Sequence, residues 1–140
     1  MAYFPSKDWL ESLNNKLNTD EQYAQIARNW EGDMIFAIEP DETLVEEVKF
    51  YLDLYHGKCR QAFMIDDEHA NQKAVFTLRG PYGNYARLLE GKLEPMTALL
   101  TRKLGVQGNM AVLMRNIPTV LDFVRCCREV TDNLTKPALS

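Results

Sequence analysis

The chain has 140 residues, a net charge of −4 and a hydrophobic fraction of 46%, which together indicate one globular domain with a substantial core. No apolar run approaches the roughly 18 residues that a membrane span needs. The N-terminus has neither a basic leader nor an apolar signal core, so export is not expected. Three cysteines, two of them adjacent (Cys126 and Cys127), do not make a disulfide framework and favour a reducing, cytoplasmic location.

The charges are unevenly distributed along the chain. Residues 1–70 contain 6 Lys/Arg and 15 Asp/Glu, a net charge of −9, whereas residues 71–140 contain 10 and 5, a net charge of +5. An acidic chain without an aromatic–basic motif argues against a nucleic-acid partner. The basic C-terminal half favours transient contact with an anionic membrane surface, although solvated helix faces explain the same charges more simply.

Two amphipathic helices are predicted at the start of the chain. Ser6 is a suitable N-cap for the first, and Thr19 and Gln22 have the spacing of a capping box for the second, which Gly32 is predicted to end. Apolar residues recur with helical periodicity in both. They are Trp9, Leu10, Leu13 and Leu17 in the first helix, and Tyr23, Ile26, Ala27 and Trp30 in the second.

Four strands are predicted next, over residues 33–39, 48–55, 59–65 and 73–78. Alternation is clearest in the second strand, where residues 48, 50, 52 and 54 are apolar, which predicts one buried face. The segment 56–58 is predicted as a tight hairpin turn, and the acidic cluster 66–68 as a solvated turn.

The pattern then becomes helical over residues 82–89 and 95–104, followed by a short strand at Val106 and a final helix that Pro118 kinks or restarts. Residues 131–140 are predicted as a polar tail. The element order predicts a single α+β domain over residues 1–130. It should contain a mainly antiparallel five-stranded sheet covered on one face by about five helices.

Few residues have the spacing that a catalytic, metal-binding or nucleotide-binding site requires. His56 and Cys59 form an H-x-x-C motif, but no second pair completes a metal site. Asp66, Glu68 and His69 bring acid and base groups together, although a solvated turn explains them more simply. No phosphate loop or dinucleotide fingerprint is present. The sequence therefore predicts no catalytic residue, no metal and no cofactor, and it predicts structural thiols at 126 and 127.

The segment 75–110 is rich in Leu and Met and contains no nucleophile or metal-ligand cluster. Its role is to present an apolar surface, and periodicity alone leaves open whether that surface is ordinary core, a cavity wall or a dimer face. An enzyme that uses Asp66, Glu68 or His69 on an apolar substrate is another open alternative.

Four stretches of the chain resemble the sterol carrier protein 2 family. They are LDLYHGK (52–58), VFTL (75–78), YARLLEGKLEP (85–95) and LLTRKLGVQGNM (99–110), and the resemblance covers roughly residues 30–121. Arg102 stands where members of that family often have Gly, and Gly105 where they often have Lys. The C-terminus is not a peroxisomal S-K-L address, which favours the cytoplasm.

The resemblance implies an apolar tunnel between sheet and helices that binds and carries a lipid such as a sterol, a fatty acid or an acyl-CoA. For each residue of the implied wall, the alternative is that its side chain contacts other side chains of an ordinary core and not a ligand. The implied lining residues are Phe50, Leu52, Phe76, Leu89, Met96, Leu99, Leu100, Met110, Leu113, Met114 and Ile117.

Overall fold

The structure is a computed structural model that describes residues 3–134. In this part of the chain the strands are β1 (Tyr3–Phe4), β2 (Met34–Glu39), β3 (Val48–Tyr55), β4 (Lys58–Met64), β5 (Phe76–Pro81), β6 (Gly105–Gln107) and β7 (Asn133–Leu134). The helices are α1 (Lys7–Thr19), α2 (Glu21–Ile26), α3 (Tyr82–Leu89), α4 (Pro95–Leu100), α5 (Met110–Arg115) and α6 (Ile117–Glu129), with a 3₁₀ helix at Asp67–His69. No helix among these residues has both the length and the apolar character that a membrane span requires.

The two N-terminal helices are capped by side chains. Ser6 caps α1 as predicted, since its side chain accepts a hydrogen bond from the Trp9 amide. The predicted capping box at Thr19 is wrong, because Thr19 is still helical and its hydroxyl donates to the carbonyl of Asn15. Asp20 is extended and caps α2 instead, accepting from the Tyr23 amide at 2.8 Å. The second helix ends at Ile26, well before the glycine predicted to end it.

The main sheet has five strands in the order β4-β3-β2-β5-β6. Three neighbouring pairs are antiparallel, but β2 and β5 run parallel, so the sheet is mixed and the prediction is corrected at this pair. The β2-β3-β4 meander leaves one edge of β2 unpaired. Residues 65–75 then form the crossover that a parallel neighbour requires, and β5 joins that edge.

Strand β3 occupies the predicted residues and buries the predicted face. Phe50 and Leu52 are fully buried on the side of the sheet that the helices cover. Tyr51 on the opposite side is also buried, because its ring stacks on Phe63 and its hydroxyl donates to Asp33 at 2.7 Å.

The helices pack on the sheet through aromatic rings. Trp9 of α1 stacks on Phe50 of β3 with ring centroids 5.6 Å apart, and Phe123 of α6 meets Phe36 of β2 edge-on at 5.6 Å. Aromatic pairs of this geometry stabilise a core beyond the area they bury. The main hydrophobic core therefore lies between one sheet face and the helices.

The C-terminal helices differ from the prediction in where they end. Helix α4 stops at Leu100 rather than at residue 104, because Arg102 adopts the left-handed conformation with φ of 60°. Pro118 restarts the chain as a helix, since α5 ends at Arg115 and Pro118 lies in the first turn of α6.

Residues 131–134 are attached to the domain. The Thr131 hydroxyl accepts a hydrogen bond from the Trp9 indole at 2.8 Å and donates to the Cys127 carbonyl at 2.7 Å. Strand β7 pairs with β1 in a separate parallel two-stranded sheet. The rest of the predicted tail, 135–140, lies outside the described residues.

Candidate functional site

A cavity of about 90 Å³ lies between the sheet and the helices. All six helices and strands β1, β2, β3, β5 and β6 contribute to its wall. The lining residues are Phe4, Trp9, Tyr23, Trp30, Met34, Phe36, Leu54, Phe76, Thr77, Leu78, Tyr85, Leu88, Leu89, Pro95, Leu99, Leu104, Val106, Leu113, Thr119, Val120, Phe123, Val124 and Cys127.

Four of the residues expected in this wall line the cavity: Phe76, Leu89, Leu99 and Leu113. The other seven lie outside the lining. Two of them, Phe50 and Leu52, are fully buried in the surrounding core. Met96, Met110 and Ile117 are half-buried, whereas Leu100 and Met114 are 65% and 36% exposed.

Helix geometry explains the position of Leu100, because it lies about 100° around the axis of α4 from Leu99. The six-residue helix directs only Pro95, Ala98 and Leu99 inward. Leu100 is the last helical residue and faces solvent. Leu104 reaches the wall from the loop after the helix instead.

The aromatic residues that the N-terminal region contributes to the wall were not predicted. Phe4, Trp9, Tyr23 and Trp30 come from the N-terminal region, which precedes or borders the stretch that carries the resemblance. Helical periodicity places three of them on buried faces. That these faces meet a cavity depends on how α1 and α2 dock on the sheet, which the periodicity does not determine.

No side chain of the wall is charged. Burial raises the pKa of the Cys127 thiol well above its ordinary value, which removes the reactive thiolate at neutral pH. Burial likewise raises the pKa of Tyr85, whose hydroxyl donates to the Leu78 carbonyl at 2.8 Å. The wall therefore offers contact area and hydrogen bonds, but no nucleophile or acid–base pair.

The acid–base cluster at the 3₁₀ helix lies outside the cavity wall. The His69 ring bonds to Asp66 at 2.8 Å and packs against Phe63. This hydrogen bond lowers the pKa of Asp66, and the carboxylate is exposed. The oxygens and nitrogen of Asp66, Glu68 and His69 lie close enough together to hold a metal ion, but exposed acidic groups are common without one.

A second group of possible ligands, Asp20, Asp122 and Cys126, surrounds Arg125. The guanidinium bonds to Asp20 at 2.6 Å and to Asp122 at 2.8 Å, so both carboxylates already have a cation partner. Gln22 also donates to Asp122 at 2.7 Å. This network joins α2 to α6 and is structural.

The H-x-x-C pair also has structural partners. His56 bonds to Glu31 at 2.6 Å, and the amide of buried Cys59 donates to the Asn18 side chain at 2.8 Å. Cys126 and Cys127 are buried, as predicted for structural thiols.

Exposed cations lie on the part of the fold that covers the cavity, on α3, α5 and the loop after α4. Arg87, Arg102, Lys103 and Arg115 are exposed, and none of their side chains forms an ion pair with another residue of the part that the structure describes. Leu100, Met114 and Leu121 are exposed on α4, α5 and α6. We call these seven residues the basic–apolar surface.

The chain and its fold match proteins of one family. The model of the SCP-2 sterol transfer family matches residues 5–120. A crystal structure of sterol carrier protein 2 is 31% identical, with a TM-score of 0.80 over 90% of this chain and 98% of that chain. The solution structure of a conserved hypothetical protein from Thermus thermophilus is also 31% identical, with a TM-score of 0.79 over 90% and 88%.

A more distant structure shares the fold. It is the solution structure of sterol carrier protein 2 from Aedes aegypti in complex with palmitate, 18% identical with a TM-score of 0.51 over 81% of this chain and 91% of that one. A search of curated proteins found no match. The family model covers most of the chain, and two structures match it over nine-tenths of its length. The chain therefore belongs to the SCP-2 sterol transfer family.

Proposed function

We propose that this protein binds an apolar lipid between its sheet and helices and carries it, without converting it chemically. The observation that supports this most strongly is the cavity, whose wall is almost wholly aromatic and aliphatic and has no charged side chain. Enclosed apolar walls with a few polar groups are typical of sites for small apolar ligands. Family membership and the palmitate complex of the Aedes aegypti relative point in the same direction.

The cavity must enlarge to take a lipid. Ligand pockets usually occupy about 300–1,000 Å³, whereas this one measures about 90 Å³. We infer that the segment from Gly91 to Gly108, which contains α4, moves outward on binding. Both glycines and Arg102 have positive φ, so the backbone turns at each end of the segment and again at Arg102 within it.

The binding energy is sufficient without a charged anchor. Burying one CH₂ group contributes about 0.8 kcal/mol, so a sixteen-carbon chain gains about 12 kcal/mol. Association costs about 4–15 kcal/mol and offsets much of this gain. We therefore expect useful affinity but weak discrimination among sterols, fatty acids and acyl chains of similar size.

We propose that loading occurs at anionic membranes through the basic–apolar surface. Its four cations can approach lipid phosphates, while Leu100, Met114 and Leu121 can enter the headgroup region. These residues are exposed on α3–α6 and on the loop after α4, which also contribute to the cavity wall, so membrane contact and cavity opening involve the same elements. The three free, buried thiols suit a cytoplasmic carrier.

Native mass spectrometry of the purified protein tests the proposal. We expect bound lipid in a fraction of molecules, and displacement of a fluorescent fatty acid by unlabelled palmitate or cholesterol. Hydrogen exchange in α4 should slow when lipid is bound, while exchange in β2 and β3 should not change.

A protein that binds neither lipid nor probe would contradict the proposal. If its mass by light scattering also rose with concentration, the apolar helices would instead be serving as a dimer face.

A further inference from the structure

Most buried polar groups in the cavity wall have a partner within the protein. The Trp30 indole donates to the Gly32 carbonyl at 2.9 Å, and the Thr119 hydroxyl to the Ile26 carbonyl at 3.3 Å. The Trp9 indole and the Tyr85 hydroxyl are bonded as described above. This is the normal condition of buried polar groups.

Tyr23 is an exception. Its side chain is 1% exposed and lines the cavity. Its backbone amide bonds to Asp20, but its hydroxyl forms no hydrogen bond with any residue in the described range 3–134. A buried hydroxyl without a partner destabilises a protein, so an exception of this kind needs an explanation.

The surroundings of Tyr23 define what could serve as its partner. Its ring lies 6.4 Å from that of Phe123, and the wall contains no cation that could neutralise a buried carboxylate. Burial raises the pKa of Tyr23 well above its ordinary value, so the hydroxyl remains protonated and able to donate. Its best partner is an uncharged oxygen on an otherwise apolar molecule.

We propose that the Tyr23 hydroxyl is the polar anchor of the lipid site and donates a hydrogen bond to a neutral oxygen of the ligand. The ligand class is an uncharged lipid with a hydroxyl, ether or carbonyl oxygen, such as a sterol or a fatty alcohol. This inference rests on the proposed function, because it assigns a preferred head group to the same cavity.

The test compares two ligands of equal size, decan-1-ol and undecane, on the wild type, Tyr23→Phe and Tyr85→Phe. Both tryptophans of the chain line the cavity, so intrinsic fluorescence can report binding. For each protein the affinity for the alcohol is divided by that for the alkane, and the difference in ligand hydration cancels when this ratio is compared between a variant and the wild type. We expect Tyr23→Phe to lower this ratio by about fivefold to tenfold, the effect of one buried neutral hydrogen bond.

Tyr85→Phe is the matched control. Tyr85 is as buried as Tyr23 and lines the same cavity, but its hydroxyl already has a partner. We expect Tyr85→Phe to keep the wild-type ratio and to lower the thermal midpoint, since it removes the buried hydrogen bond to the Leu78 carbonyl. Tyr23→Phe should keep or raise the midpoint. Tyr23→Leu provides a second variant without the hydroxyl and should lower the ratio in the same way.

The outcomes separate this inference from the proposed function. If the proteins bind both ligands and the Tyr23 variants keep the wild-type ratio, the anchor is wrong and the lipid-binding proposal survives. An equal fall of the ratio in Tyr85→Phe would also overturn the anchor, because the effect would then not belong to Tyr23. If the wild type binds neither ligand nor the fluorescent fatty acid, both proposals fail.

Discussion

Adjacent leucines of α4 have opposite environments. Leu99 is 8% exposed and lines the cavity, whereas Leu100 is 65% exposed and lies outside it. We predict that Leu99→Trp fills the cavity and lowers lipid uptake by at least about tenfold, with a loss of stability of about 1–3 kcal/mol from overpacking. Leu100→Trp should leave uptake from solution, without a membrane, unchanged.

Displacement of a fluorescent fatty acid measures uptake in both variants, and circular dichroism checks that each is folded. Unchanged uptake in folded Leu99→Trp would remove Leu99 from the lipid site. Equal losses in the two variants would show that the added indole acts through the surface.

The carboxylate of Asp20 makes stability depend on pH. The hydrogen bond from Arg125 and that from the Tyr23 amide hold the pKa of Asp20 well below its usual range. A carboxyl group whose pKa is depressed by folding stabilises the protein above its unfolded pKa of about 3.9, and this stabilisation is lost as pH falls toward the folded value. Asp20→Asn keeps an N-cap acceptor but removes the charge. We predict a free energy of unfolding about 2 kcal/mol lower at pH 7.

Urea unfolding at pH 7 and at pH 3 measures this effect. The difference between the wild type and Asp20→Asn should be smaller at pH 3, where the wild-type carboxylate becomes protonated on unfolding. Asp66→Asn is the control, since that carboxylate is exposed and should show no comparable loss. A difference that does not change with pH would mean that Asp20 acts through its shape and not its charge.

At the scale of elements, the segment that contains α4 begins and ends at a glycine, and the surroundings of these two glycines differ. A Cβ atom on Gly108 would lie 2.6 Å from the Phe76 ring and 2.7 Å from the Val75 carbonyl, whereas one on Gly91 would meet nothing within 4 Å. Both have positive φ, which costs an L-residue about 1–2 kcal/mol. We predict that Gly91→Ala loses about this amount and Gly108→Ala about 3 kcal/mol or more.

Thermal and urea unfolding of the two variants give the comparison. The difference between them reports the contact between the β6–α5 connection and β5, together with the larger backbone penalty at Gly108, whose φ of 132° lies farther from the left-handed helical region than the 81° of Gly91. Equal losses would show that this connection yields without disturbing Phe76.

Elements with a local signal were predicted well. The alternation of β3 and the apolar stripe of α3 gave their observed bounds, Val48–Tyr55 and Tyr82–Leu89. Helix α4 was predicted four residues too long, because nothing in the local pattern shows that Arg102 takes a left-handed conformation. The parallel pairing of β2 with β5 was missed for a similar reason, since strand direction depends on a long crossover.

For the whole molecule, the charge asymmetry predicts selective membrane contact. Lys103→Glu with Arg115→Glu should reduce binding to vesicles that contain phosphatidylserine by more than about tenfold, since each basic residue near the surface contributes about 1 kcal/mol. The matched control is Lys58→Glu with Lys73→Glu, which changes the net charge equally at exposed sites outside α3–α6 and the loop after α4. Cosedimentation at low and high salt measures binding, which salt should weaken.

The control pair should bind like the wild type. Equal losses in both pairs would mean that overall charge, and not the basic–apolar surface, governs contact with the vesicles.

The sequence by itself determined the α+β fold class, most of the elements and the family resemblance, because periodicity, capping and turn residues are local signals. Tertiary structure decided which apolar residues face the cavity. It placed Leu99 inside and Leu100 outside, brought Trp9 and Tyr23 into the wall, and left the Tyr23 hydroxyl without a partner among the described residues. Periodicity can show that a side chain points inward, but only the docking of helices on the sheet determines whether it meets another side chain or an empty space.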